Sequence, residues 1–454
     1  MINSLSLLKR IFPLLLLVLL PIVLWHPAGA EPSAPPSNAP DWSVPISASL
    51  GDHSDKVPHI IASPYDDQVL IVYTSRTTDE AFSTDPWYAL STDRGETWEF
   101  GGSSLPSPVP QPIHTSASVE SLQVNAAFDP SGEAHAVWIE EYSLFYADQD
   151  RWPTGGATLP TVVSPVASAP GASDPVIEAS STQVLDVIWS EGSTGIPPDL
   201  KHARSLDGGA SWSTVRSNIS TSEFADEFPS LVVDSNNSNR LHVVWQITEG
   251  SAGSIYYAQG TVSGSVVAWS TPIQISADAS NDRQPKIVLS GSQLVVSYSH
   301  VEPIDVGGEI VNYQLAYYTA CSGNCTQASS WRNPENISGQ FVTVNETSPF
   351  YITTAIVSVY GCKYVYYHGV VESYVNESVL GVNSCVGWSG GGVERITEPG
   401  GVWALNPSVA AHADGWVYLV YEQVDSSTPP DSHQVYFMRG EVPLPGLYLP
   451  VVLK

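Results

Sequence analysis

The chain runs to 454 residues and carries 46 acidic side chains against 17 basic ones, a formal net charge of −29. That balance excludes a nucleic-acid partner, whose phosphates require a basic surface. Only 14% of residues are charged, whereas 34 glycines, 36 prolines and an aromatic share of 10% suit many short strands and turns better than disorder or long helices.

The first element reads as a leader. Lys9 and Arg10 precede an apolar run from Ile11 to Trp25, and Ala28-Gly29-Ala30 follows it. The run is shorter than the roughly 20 residues of a membrane span, and the small residues fit a cleavage site. Residues 1–30 are therefore expected to be a secretory signal peptide, with an uncleaved anchor as the lesser alternative. Residues 31–40, rich in Pro, Ser and Ala, form a linker with nothing to bury. The mature protein is expected outside the cell or at its surface, as a bacterial exported protein would be. It is expected to be monomeric and to carry no membrane span.

Residues 41–441 form one repeat array. An often Pro-led apolar strand, a short turn and a second strand ending in an aromatic recur, as in VPHIIASPYDDQVLIVYTS and FPSLVVDSNNSNRLHVVWQ. Strands start near Pro58, Asn125, Pro175, Pro229, Pro285, Pro349 and Pro407, a spacing of roughly 50–67 residues that marks a repeat architecture. In several units a third strand follows, then a turn and a Trp-led fourth. Four short antiparallel strands per unit describe the blade of an all-β propeller, with seven blades favoured and six allowed. The last unit lacks its Trp-led fourth strand, and DWSVPISAS (Asp41–Ser49) is similar to WSTPIQISA (Trp269–Ala277). The N-terminal strand is thus expected to close the ring, removing the edges an open array would expose.

Two turns repeat closely. Ser91, Asp93, Gly95, Thr97 and Trp98 keep the same offsets as Ser205, Asp207, Gly209, Ser211 and Trp212, and the turns at Trp269 and Trp331 are degenerate versions. The pattern resembles the Asp-box, or bacterial neuraminidase repeat, of sialidase-like propellers. Its aspartates can accept bonds from the turn's own amides, its glycines supply φ > 0, and its tryptophans bury between sheets. All ten residues are therefore expected to be scaffold. The resemblance covers residues 41–441 and implies that the substrate face is the opposite one, where chain enters strand one and leaves strand two.

That face collects the candidate chemistry. Glu140, Glu191 and Glu227 are the candidates for a carboxylate pair able to hydrolyse a glycosidic bond. His59, Arg76, Glu141, Asp174, Arg283, His300 and Glu422 are candidate ligand contacts, and Tyr142, Trp189 and Trp245 candidate stacking rings. The resemblance falters at the site. Sialidases hold a carboxylate with three arginines, and His59 stands where the first-blade arginine is expected; an imidazole cannot replace bidentate guanidinium recognition. The Tyr/Glu nucleophile pair of that family has no placeable motif here.

Four cysteines fit an exported protein with two disulfides, most locally Cys321–Cys325 and Cys362–Cys385, with other connectivities open. No cofactor or metal motif appears, and a structural Ca²⁺ has no loop of calcium spacing to support it. The apolar tail, residues 442–454, is either a sorting signal or a last packed strand. Together these readings point to a non-catalytic module that binds an extracellular glycan or protein. The alternative is a sialidase-like glycoside hydrolase of the exo-sialidase class, and a bare spacer role ranks third.

Overall fold

The computed structural model describes residues 40–49, 54–76, 84–100, 103–115, 120–152, 161–164, 170–213, 217–220, 222–237, 239–250, 252–277, 281–306, 308–337, 353–370, 378–383, 393–396, 402–425 and 433–442. The signal-peptide and linker readings up to residue 39, the tail beyond Val442, and Cys385 lie outside them. Among the described residues there is no α-helix, and no helix long and apolar enough to cross a membrane.

Each unit is an antiparallel meander whose second strand is the most buried. Residues Val69 to Ser75 of the first unit's second strand, Val69–Arg76, are all buried. A strand packed on both faces cannot alternate polar and apolar positions, which explains the continuous apolar runs in the sequence. The first strands of the units are Ser54–Ala62, Ser121–Phe128, Pro170–Ala179, Ala225–Val233, Asn281–Ser290, Thr354–Val359 and Val402–Ala411. Among the described residues, sheet pairing gathers the meanders into six sheets of four or more strands, arranged as a six-bladed propeller. The preference for seven separate blades is corrected here. The sixth and seventh units share one nine-stranded sheet, joined where Ser378 pairs in parallel with Trp403.

The ring closes as expected. Asp41 pairs with Glu441, Trp42 with Gly440, Ile46 with Phe437 and Ser47 with Tyr436, so the chain start supplies the outer strand of the chain end. Of the cysteines, Cys321 and Cys325 are bonded to each other, and Cys362 is also disulfide-bonded.

The two matching turns are internally satisfied. In the first, the Gly95 N–H donates to Ser91 Oγ (2.8 Å), while Thr97 N–H and Thr97 Oγ1 donate to the two oxygens of Asp93 (2.7 and 2.6 Å). In the second, Gly209 N–H reaches Ser205 Oγ at 2.8 Å, and Ser211 N–H and Oγ reach Asp207 at 2.8 and 2.5 Å. Both aspartates are held below the usual carboxylate range; for Asp207 the leading cause is the hydroxyl of Ser211. Each tryptophan then wedges against the preceding unit in the ring. Trp98 meets Phe437 edge-on at 4.9 Å and Trp212 meets Tyr146 at 5.2 Å. Gly209 has φ +86°, and a Cβ there would sit 2.1 Å from the Tyr146 ring, so only glycine fits.

Candidate functional site: the axial mouth

A repeated backbone irregularity defines this region. In six first strands the register slips by one residue, and the residue at the slip has a left-handed backbone: Val57 (φ 52°), Gln123 (54°), Asp174 (51°), Phe228 (52°), Gln284 (51°) and Asn406 (48°). All but Gln123 precede a proline, which makes the conformation costlier still. Such strain persists only where neighbours over-determine it. The neighbours are visible: the N–H of Val57 donates to Glu422 Oε2 (3.3 Å), that of Asp174 to Gln123 Oε1 (2.8 Å), and that of Gln284 to Gln246 Oε1 (3.1 Å). What reads in sequence as a Pro-led strand start is therefore a bulge clamped by the adjoining unit.

Two residues past each bulge sit His59, Asn125, Val176, Ser230, Lys286 and Ser408. Three of them latch neighbouring units together. Ser408 Oγ accepts from Ile60 N–H (3.1 Å), Asn125 Oδ1 from Ile177 N–H (3.2 Å) and Ser230 Oγ from Ile287 N–H (3.2 Å). His59 and Lys286 place titratable groups at the same position. Burial, then the charge of Lys286, lowers the His59 imidazole to about 4, so it is neutral at pH 7. Burial likewise lowers the Lys286 ammonium, opposed by Asp174. Lys286 keeps an open surface although protein surrounds it, as a side chain within a ring would.

These groups belong to the first, third and fifth units, which are not neighbours around the ring. Their mutual electrostatic influence therefore crosses the axis. Burial pushes the Asp174 carboxyl up to about 6, with Glu227 adding to the rise and a hydrogen bond from Ser173 resisting it. Gln123 Nε2 donates to Asp174 Oδ1 at 2.8 Å. The mouth thus holds Asp174, Glu227, His59 and Lys286 together. Lys286 was not anticipated, although QPKIVLS does place a lone cation in an otherwise apolar strand.

The remaining candidates are arranged differently. Glu140 Oε2 accepts the buried Trp138 indole N–H (3.3 Å) and lies 3.6 Å from His114 Nε2. Glu191 Oε2 accepts the Trp189 indole N–H at 2.9 Å. The third unit-spanning indole, Trp245, donates instead to Asp226 (2.7 Å), and burial raises that carboxyl to about 6. Glu227 Oε2 accepts from Thr248 Oγ1 (2.9 Å). Of the three acids grouped as catalytic candidates, the described interactions bring only Glu227 to the axis.

Glu422 is buried and accepts from Asn406 Nδ2 (2.9 Å), the Val57 N–H and His433. Burial would raise it, but these bonds hold it below the usual range. His300 Nδ1 bonds Asp282 (2.7 Å) and its ring packs on Tyr317. Arg283 Nε donates to Asn281 Oδ1 (3.0 Å), and Arg76 ends its strand opposite Ser54. Glu141 forms a two-residue hairpin turn with Tyr142, both at positive φ (45° and 68°). Among the stacking candidates Trp189 and Trp245 are fully buried, whereas Tyr142 is 49% exposed. Its carbonyl accepts the N–H of Ala172 (2.8 Å), two residues before Asp174, which ties this hairpin turn to the start of the third unit's first strand.

No family model matches the chain, and no curated protein matches it. Among solved structures it is similar to a Dyadobacter fermentans protein of unknown function, with a TM-score of 0.52 at 11% identity, covering 90% of this chain and 100% of that one. It is also similar to a Trypanosoma rangeli sialidase, with a TM-score of 0.45 at 12% identity over 88% of this chain and 59% of that one. A Fusarium graminearum GH93 α-L-arabinofuranosidase gives 0.45 at 11% identity over 89% and 98%. The architecture is a β-propeller.

Proposed function

We infer that this propeller binds an extracellular glycan at its axial mouth and does not hydrolyse it. The observation that carries the reading is the cluster of one amine, one imidazole and two carboxylates, together with Tyr142, an exposed ring on a left-handed two-residue turn tied to the third unit's first strand. A flat apolar ring stacks on a sugar face, while Lys286, Asp174 and Gln123 offer the polar contacts that fix a hydroxylated or acidic ring. Glu140 and Glu191 support the non-hydrolytic reading, because each is already an internal acceptor for a buried indole.

One observation favours hydrolysis as a second reading. Asp174, raised to about 6 beside Glu227, is an acid and a neighbouring carboxylate of the sort glycosidases use. A single experiment separates the two. The full chain is incubated with sialylated, uronic and neutral oligosaccharides, and mass spectrometry scores retention and cleavage. Retention without cleavage, lost in Tyr142→Ala and weakened in Lys286→Met, supports binding. Turnover lost in Asp174→Asn or Glu227→Gln establishes the hydrolase instead. If no sugar is retained or cleaved, both glycan readings fall.

A further inference from the structure

On the turn face, the second unit carries a cluster whose polar atoms do not balance. Asp129 Oδ1 is saturated, accepting from Ser131 N–H (2.7 Å), Ser131 Oγ (2.7 Å) and Glu133 N–H (3.0 Å). Its other oxygen, Oδ2, is buried without a hydrogen-bond partner, as is Nε2 of His135, and the two lie 3.6 Å apart. His135 is only 1% exposed and Asp129 fully buried.

The surrounding hydrogen bonds decide what faces what. The Tyr146 hydroxyl donates to Gly208 O (2.9 Å), so its oxygen must accept from His135 Nδ1 (2.8 Å). The proton of a neutral imidazole is then on Nδ1, and Nε2 presents a lone pair. That lone pair points at a carboxylate oxygen. Two buried acceptors facing each other with no donor between them repel.

Negative charge also accumulates around the pair. One ligand atom each from Asp129, Glu133 and His135 lies within 4.8 Å of the others. Asp148 Oδ1 is a further buried, unpartnered oxygen, and Asp148 and Asp150 both act on Glu133. The cation described beside them is Arg151, held 3.0 Å from Asp148.

The fourth unit supplies an internal control. There His242 Nδ1 meets Tyr257 OH at 2.8 Å and His242 Nε2 lies 3.9 Å from Asp234 Oδ2. The turn closes with Asp234 N–H on Arg240 O (3.0 Å), as Asp129 N–H closes on Glu133 O (2.9 Å). Arg240 therefore occupies the position of Glu133, and its charge reaches His242. One unit places a fixed cation beside the Asp–His pair, and the other places a second carboxylate.

We propose that Asp129, Glu133 and His135 form a divalent transition-metal site, with Zn²⁺ the best-matched ion. A neutral imidazole nitrogen and carboxylate oxygens are Zn²⁺ ligands at roughly 2.0–2.2 Å, and two such atoms on a tetrahedral ion stand roughly 3.3–3.6 Å apart. The ion would pin the first turn of the second unit. Through Tyr146 it would also brace the Gly208 turn of the third, which makes its role structural and separate from the mouth.

The test uses the tag-free full chain, stripped with EDTA, dialysed and titrated with ZnCl₂. Bound metal is counted by plasma mass spectrometry and stability followed by thermal unfolding. The site predicts one tightly held zinc and a Tm rise of several degrees. Glu133→Arg, which copies the fourth unit, should fold with a wild-type or higher metal-free Tm, bind zinc at least tenfold more weakly and lose the Tm response. Glu133→Gln should weaken uptake while keeping the fold. No uptake at micromolar zinc, or equal uptake by wild type and Glu133→Arg, overturns the assignment.

Discussion

The turn face and the axial mouth both repeat around the ring, but they repeat different things. At the turn face, the glycine N–H of both matching turns meets its serine at 2.8 Å, and the same serine, aspartate and tryptophan recur. At the mouth the backbone repeats as closely, with φ between 48° and 54° in six strands, yet the residues two places on are His, Asn, Val, Ser, Lys and Ser. Where backbone and side chain recur together, the serine and aspartate oxygens are used by the turn itself and the position serves the fold. Where the backbone recurs and side chains diverge, the scaffold is already secured by the neighbouring unit. The side chains there serve different ends: Ser408, Asn125 and Ser230 latch neighbouring units, while His59 and Lys286 place titratable groups at the same position.

The sharpest way to break that contrast is to truncate one residue of each kind. Trp98 is fully buried against Phe437, so Trp98→Ala is expected to cost about 3–5 kcal/mol, read from the urea midpoint. Lys286→Met removes a cation that burial already disfavours and should leave the midpoint unchanged or raised. Equal losses from the two changes would mean that the mouth is scaffold as well.

A pH titration sharpens the same contrast inside a single strand. Glu178 lies opposite Asp186 in the third unit, and burial, with the charge of Asp186, pushes its carboxyl up to about 8. A raised acid binds its proton more tightly in the folded state, so its contribution is fully present below its unfolded pKa of about 4.3. The contribution is lost as pH rises towards 8, at no more than about 1.4 kcal/mol per pH unit. Wild type and Glu178→Gln should therefore unfold alike near pH 4 and diverge above it, with the variant more stable at pH 8. A pH-independent difference would place Glu178 in contact with water.

Architecture was readable from sequence because its signals are local: a strand of continuous apolar residues, a Ser-x-Asp-x-Gly turn, and a chain start matching an inner fourth strand. The blade count was not. It turns on a single cross-unit pairing, Ser378 with Trp403, which no periodicity encodes. Site residues were half legible for a related reason. His59, Asp174 and Glu227 come together at the first-strand bulges, a region that counting strand ends could reach. Glu140 and Glu191 look equivalent to them until the indole two residues earlier is seen to claim each carboxylate. Lys286 hid inside an apolar strand, since only the bulge, a three-dimensional feature, turns that position towards the axis.

The smallest expected effect bears most directly on function. The Glu141-Tyr142 turn has positive φ at both positions, the geometry of a type I′ hairpin, which Asn-Gly adopts with far less strain. Replacing Glu141-Tyr142 by Asn-Gly should stabilise the fold by about 0.5–1 kcal/mol, seen as a shift in the urea midpoint at constant slope. The same variant should lose glycan retention, because it removes the exposed ring while relieving the backbone. A more stable protein that no longer binds identifies strain kept for the sake of recognition. A more stable protein that still binds moves the stacking surface away from Tyr142, leaving Lys286 and Asp174 to account for retention.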